Sequence, residues 1–180
     1  MQTNRDYKLR YMIVRNKIWD EIKHSDANRI CARKYANVQR RIALGYKIIV
    51  PLLAGICAIA VKIDQENAAF WASIIICVST IMKAVFPQLI LPDKDVDTLD
   101  TLQLDFFDYR NKLEDLFHRF DKNEYSEDEA QRKLNTLQKE TSKRSSQLNK
   151  LVFWIPSYVD RSITKESEQY LNAIHNNKYE

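Results

Sequence analysis

Ser73, Cys77 and Thr80 recur at i, i+4 and i+7 inside an apolar run, with Lys83 just beyond them. Side chains at that spacing share one helix face, and in an assembly of several chains a polar face can line a water-filled pathway. The alternative is that the hydroxyls bond to carbonyls of their own helix, or to a neighbouring helix. Other chemistry finds little to work with. Cys31, Cys57 and Cys77 are far apart, odd in number and without a C-x-x-C pair, which suits buried or lipid-facing thiols in a reducing compartment. His24, His118 and His175 are scattered, and Asp115 with His118 at i, i+3 falls short of a metal ligand set. Two glycines in 180 residues leave no Gly-rich loop to cradle a phosphate and no dinucleotide fingerprint. With no nucleophile elbow or triad either, neither an enzyme nor a cofactor is expected.

The elements that would position the polar line are helices. Two glycines and four prolines provide few turns, so the expected fold class is all-α. Tyr7, Tyr11, Val14, Ile18 and Ile22 form an amphipathic stripe in a helix over residues 6–41. Residues 48–61 are apolar without interruption, Asp64 to Asn67 make a turn, and 68–82 are again apolar or small. A second amphipathic helix carries Leu99, Leu102, Phe106, Leu113, Phe117 and Phe120. Ser126 with Glu129 reads as a capping box opening a third. That helix closes at Pro156, and a short tail helix is expected over 166–175.

Two readings of the apolar runs compete. At 14 and 15 residues they fall short of the ~20 expected of a span, in the range of buried core helices. They lack a wet face, however, which a core helix of so small a domain should keep. Lys47 and Lys83 at one end and Lys62 at the other can snorkel to the interface, extending the spans to about 42–61 and 68–86. The organisation expected is therefore a basic N-terminal helix (1–41), a two-span transmembrane hairpin (42–92) and a cytoplasmic helical region (93–180) with long amphipathic helices.

Charge sets the orientation. Residues 1–47 net +8, 48–82 net −1 and 83–180 net −3. Arg29, Arg33, Lys34, Arg40 and Arg41 precede the first run, whereas the turn offers Lys62 alone, so both termini are expected on the cytoplasmic side of the cell membrane. The first forty residues lack the apolar core of a signal peptide, so the N-terminus is expected to stay where it is made. Arg33, Lys34, Arg40, Arg41 and Lys47 are candidate contacts for anionic lipid, and direct nucleic-acid binding is not expected.

Small residues mark candidate packing faces. Gly55, Ala54 and Ala58 lie in the first run, and Ala68, Ala69 and Ala72 in the second, several at small-xxx-small spacing. Such faces let backbones approach closely in lipid. They either pack the hairpin against itself or join several chains, and a homo-oligomer is the expectation.

A basic helix bearing Trp19, a tight hairpin turning at "DQEN", the helix "LQLDFFDYRNKLEDLFHRF" and the closure "FWIPSYVD" together resemble the SLATT family, the SMODS and SLOG-associating two-transmembrane effector domains. The resemblance covers roughly residues 5–165 and rests on layout, not on an invariant motif. It implies a bacterial inner-membrane effector of conflict systems, anti-phage defence included. Such an effector oligomerises or opens when a partner signals infection, and the cell arrests or dies. It further implies a signal-generating partner, either a nucleotide second-messenger synthetase or a reverse-transcriptase system. The alternative function is a membrane-anchored scaffold or adaptor without pore activity.

Overall fold

The structure, a computed structural model, describes residues 2–63, 70, 73–81, 84–85 and 90–176. Among them every regular element is helical and no strand occurs: α1 (Gln2–Ile63), α2 (Asp93–Asp121), α3 (Glu127–Leu151) and α4 (Ser157–Asn176), with further helical backbone at 73–81. The chain forms two compact units, Met1–Tyr35 with Asp97–Glu180, and Ala36–Val96.

The first unit is a helical bundle built on the stripes read from the sequence. Val14, Ile18 and Ile22 of α1 meet Tyr109, Leu113, Leu116, Phe117 and Phe120 of α2, with Ala130 and Leu134 of α3 closing the cluster. Tyr11 stacks on Phe120 at 4.7 Å, and Trp19 tilts against Phe117 at 5.5 Å. Tyr7 of the expected stripe has its side chain outside the described residues. α2 stops by a Schellman arrangement. Asn123 takes φ 58°, Glu124 N–H donates to the Arg119 carbonyl, and Asn123 N–H donates to that of Phe120. Asparagine tolerates this left-handed conformation. α3 then opens with the expected capping box. The Ser126 side chain accepts from Glu129 N–H, and the Glu129 carboxylate accepts from Ser126 N–H at 2.9 Å. Those bonds hold the Glu129 carboxyl below its usual range.

Three boundaries differ from the sequence reading, the first being that α3 ends at Leu151, short of Pro156. α1 runs unbroken through residue 41 into the apolar run, because nothing between Asp6 and Leu44 interrupts it and Gly45 keeps negative φ. α4 begins at Ser157 rather than near 166. The Pro156 carbonyl accepts from Val159 and Asp160 N–H, which starts the helix at once after a proline that cannot continue α3. Val159, Ile163 and Ser167 form its buried face, a pattern masked by the polar residues between them.

In the second unit, Gln39 is 3 % exposed and its Oε1 accepts from Leu91 N–H at 3.1 Å. Along α1 the less exposed positions are Ile42, Ala43, Tyr46, Val50 and Leu53, the helical spacing of a single inward face. Pro51 sits inside the helix. Among the described residues no helix is long and apolar enough to cross a membrane. Of the spans marked in the sequence, 42–61 has helical backbone throughout, with some side chains outside that description, and 68–86 includes residues outside it.

Candidate functional site

The outward surface of the second unit is apolar. Leu44, Ile48, Ile49, Leu52, Ile56 and Ile59 on α1 are 45–61 % exposed, and Phe70, Ile74, Ile76, Val78, Ile81 and Val85 are 37–63 % exposed. Exposed apolar side chains in this number mark a contact with lipid or protein.

The polar line lies on the same surface. Ser73, Cys77 and Thr80 are exposed. Ser73 Oγ donates to the Phe70 carbonyl and Thr80 Oγ1 to that of Ile76, each at 2.7 Å. Both hydroxyls are thus satisfied within their own helix, one of the two readings left open by the sequence, and hydroxyls so bonded can face hydrocarbon. Lys83 lies outside the described residues. Of the small-residue faces, Ala54 is exposed, and a Cβ added at Gly55 would meet nothing within 4 Å. Among the described residues, none packs against Gly55. Ala58 continues the helix with its side chain outside the description, and Ala68, Ala69 and Ala72 lie outside the described residues altogether.

The basic residues divide. Arg40, Arg41 and Lys47 are exposed. Arg33 and Lys34, also candidates for lipid headgroups, meet a protein carboxylate. Arg33 Nη2 pairs with Glu166 Oε1, and Lys34 Nζ lies 2.9 Å from Glu166 Oε2 and donates to the Ser162 carbonyl at 2.9 Å. Burial pushes the Glu166 carboxyl up, but the bonds from Lys34 and Arg33 outweigh it and leave it below its ordinary value.

A buried ionic cluster in the first unit has no counterpart in the sequence reading. Asp26 is 0 % exposed, and its Oδ1 takes Arg29 Nη2 at 3.0 Å and Arg110 Nη1 at 3.0 Å, while Oδ2 has no hydrogen-bond partner among the described residues. The Arg110 guanidinium lies 4.4 Å from the Tyr170 ring centroid and 4.9 Å from that of Phe107, with Nε 3.3 Å from Glu114 Oε1. The Tyr170 hydroxyl donates to Glu114 Oε1. Burial, then that carboxylate, raise the Tyr170 pKa and keep the phenol neutral. Burial and Glu21 do the same to Tyr109, whose hydroxyl donates to Glu21 Oε1 at 2.8 Å. Spacings of three for Asp26–Arg29 and four for Arg110–Glu114 suggest surface pairs on single helices. Only the fold shows that they converge across α1, α2 and α4. Asp115, weighed with His118 as a metal pair, accepts from Arg119 Nε at 3.2 Å.

No family model matches the chain, and neither a curated protein nor a solved structure matches it.

Proposed function

We propose that the chain is a two-span membrane effector that self-associates and permeabilises the bacterial inner membrane on activation, halting growth. The observation that carries this reading is the outward apolar surface of the second unit between Leu44 and Val85. Hydrocarbon is the solvent that accepts such a surface without penalty. Gly55 and Ala54, open among the described residues, supply a face on which helices of several copies can approach. The layout that resembles SLATT effector domains supports the same reading, with the first unit receiving the signal of a partner. Both termini lie on the cytoplasmic side, as the distribution of lysine and arginine requires.

Controlled expression in bacteria, followed with a potential-sensitive dye and by growth, tests it. Depolarisation preceding growth arrest is expected once the partner system is present and triggered. Harmless accumulation in the membrane under those conditions contradicts it.

A second reading is favoured by one observation, the hydroxyls of Ser73 and Thr80 bonded to their own helix. Under it, the hairpin only tethers the first unit as a scaffold. Replacing the hairpin with an unrelated two-span anchor separates the two readings, since a tether keeps its activity after the swap and a permeabilising hairpin loses it.

A further inference from the structure

The α3–α4 connector and the first turn of α4 display three aromatic rings to solvent. Phe153 is 55 %, Trp154 60 % and Tyr158 67 % exposed. The segment is held from beneath. Val152 N–H donates to the Leu148 carbonyl at 2.9 Å, Pro156 is buried, and Phe153 meets the buried Tyr35 ring edge-on at 6.4 Å and 89°. Three neighbouring aromatic rings left facing water mark a surface suited to a partner environment.

The surrounding charge indicates which environment. Tyr158, Arg161, Ser162 and Lys165 recur at the i, i+3, i+4, i+7 spacing of one face of α4, and all four are exposed. With Lys150 this makes three exposed cations against one acid, Asp160, over residues 150–165. Aromatic rings with a polar tip interleaved with cations suit the headgroup layer of an anionic bilayer, where the rings take the interface and the cations meet phosphate.

We infer that Phe153, Trp154, Tyr158, Arg161 and Lys165 form a second membrane-contact surface, seated in the headgroup layer of an anionic bilayer. The inference rests on the reading that the second unit lies in the membrane, and goes beyond it by assigning a lipid contact to the first unit.

The three tryptophans of the chain, Trp19, Trp71 and Trp154, permit a test in which each has its own expected depth. Three variants each keep one tryptophan, with phenylalanine at the other two positions. The full chain is reconstituted in phosphatidylcholine vesicles with or without phosphatidylglycerol. Nitroxide lipids labelled at the headgroup or deep in the acyl chain quench the emission. Trp154 is expected to be quenched at least about twofold more by the headgroup label than by the deep one, and only with phosphatidylglycerol present. Trp71 should show the opposite depth preference, and Trp19, packed against Phe117, should respond to neither. Arg161→Gln with Lys165→Gln should weaken the docking of Trp154 by about thirtyfold and leave Trp71 unchanged. Should Trp19→Phe impair folding, the difference between wild type and Trp154→Phe isolates the same signal.

Quenching of Trp71 with none at Trp154 overturns the second surface and leaves the hairpin standing. Quenching of Trp154 with none at Trp71 supports the surface and removes the hairpin. Silence at both removes both. If Trp154 is unquenched in vesicles but shifts blue with protein concentration in detergent, a second copy of the chain covers these rings and the lipid assignment falls.

Discussion

Asp26 is fully buried and holds two guanidinium groups through a single oxygen. Removing one member of a buried pair leaves the other charge uncompensated, which costs about 3–5 kcal/mol, whereas replacing both by apolar groups is often neutral. Asp26→Leu alone is therefore expected to lower stability in urea by about that amount. Asp26→Leu with Arg110→Met should recover most of the loss, and additive losses would show that the pairing is not the cause. Glu166 gives a pH signature. Its carboxyl titrates below the ordinary value in the fold, so its stabilisation is complete above the usual carboxylate pKa of about 4.3 and lost as pH falls through the lower folded value. Wild type and Glu166→Gln should thus differ in melting temperature at neutral pH and converge only below about pH 4. A constant difference down to acid would remove the ion pair as its source. Of these residues, the Ser126–Glu129 cap was legible in the sequence because both partners lie within one turn. The Asp26–Arg110 pair, 84 residues apart, was not, since spacing along one helix carries no information about its partner on another.

At the scale of elements, periodicity did most of the work where apolar residues recur on one face. The stripes of α1 and α2 became the core of the first unit because burying them is the main gain of folding. The early start of α4 escaped notice because its buried face is interrupted by Asp160, Thr164 and Lys165, which point elsewhere. The α1 face bearing Gly55 has a consequence for assembly. Since a Cβ there meets nothing within 4 Å, Gly55→Leu is not expected to disturb the single chain and adds helix propensity. Loss of chemically cross-linked oligomers in detergent, with helicity unchanged, is the expected result. Unchanged oligomers would move the association face off Gly55. With Ser73 and Thr80 bonded to their own helix, Ser73→Ala and Thr80→Val should leave liposome ion flux within about twofold. A collapse of flux would place these side chains on the wall of the pathway.

For the whole molecule, the decisive term is the solvent of the second unit. Twelve large apolar side chains between Leu44 and Val85 are roughly half exposed among the described residues. At ~1.5–3 kcal/mol for full burial of each, leaving them in water forgoes on the order of 10 kcal/mol, comparable to the whole stability of a typical domain. Proteins seldom forgo so much without a lipid or protein partner to recover it. The most direct test is fractionation of bacterial membranes after an alkaline carbonate wash, with the chain followed by immunoblot. The account predicts that the protein stays in the pellet through the wash and is released by detergent alone. Recovery in the supernatant as a monodisperse particle, without detergent, would contradict it.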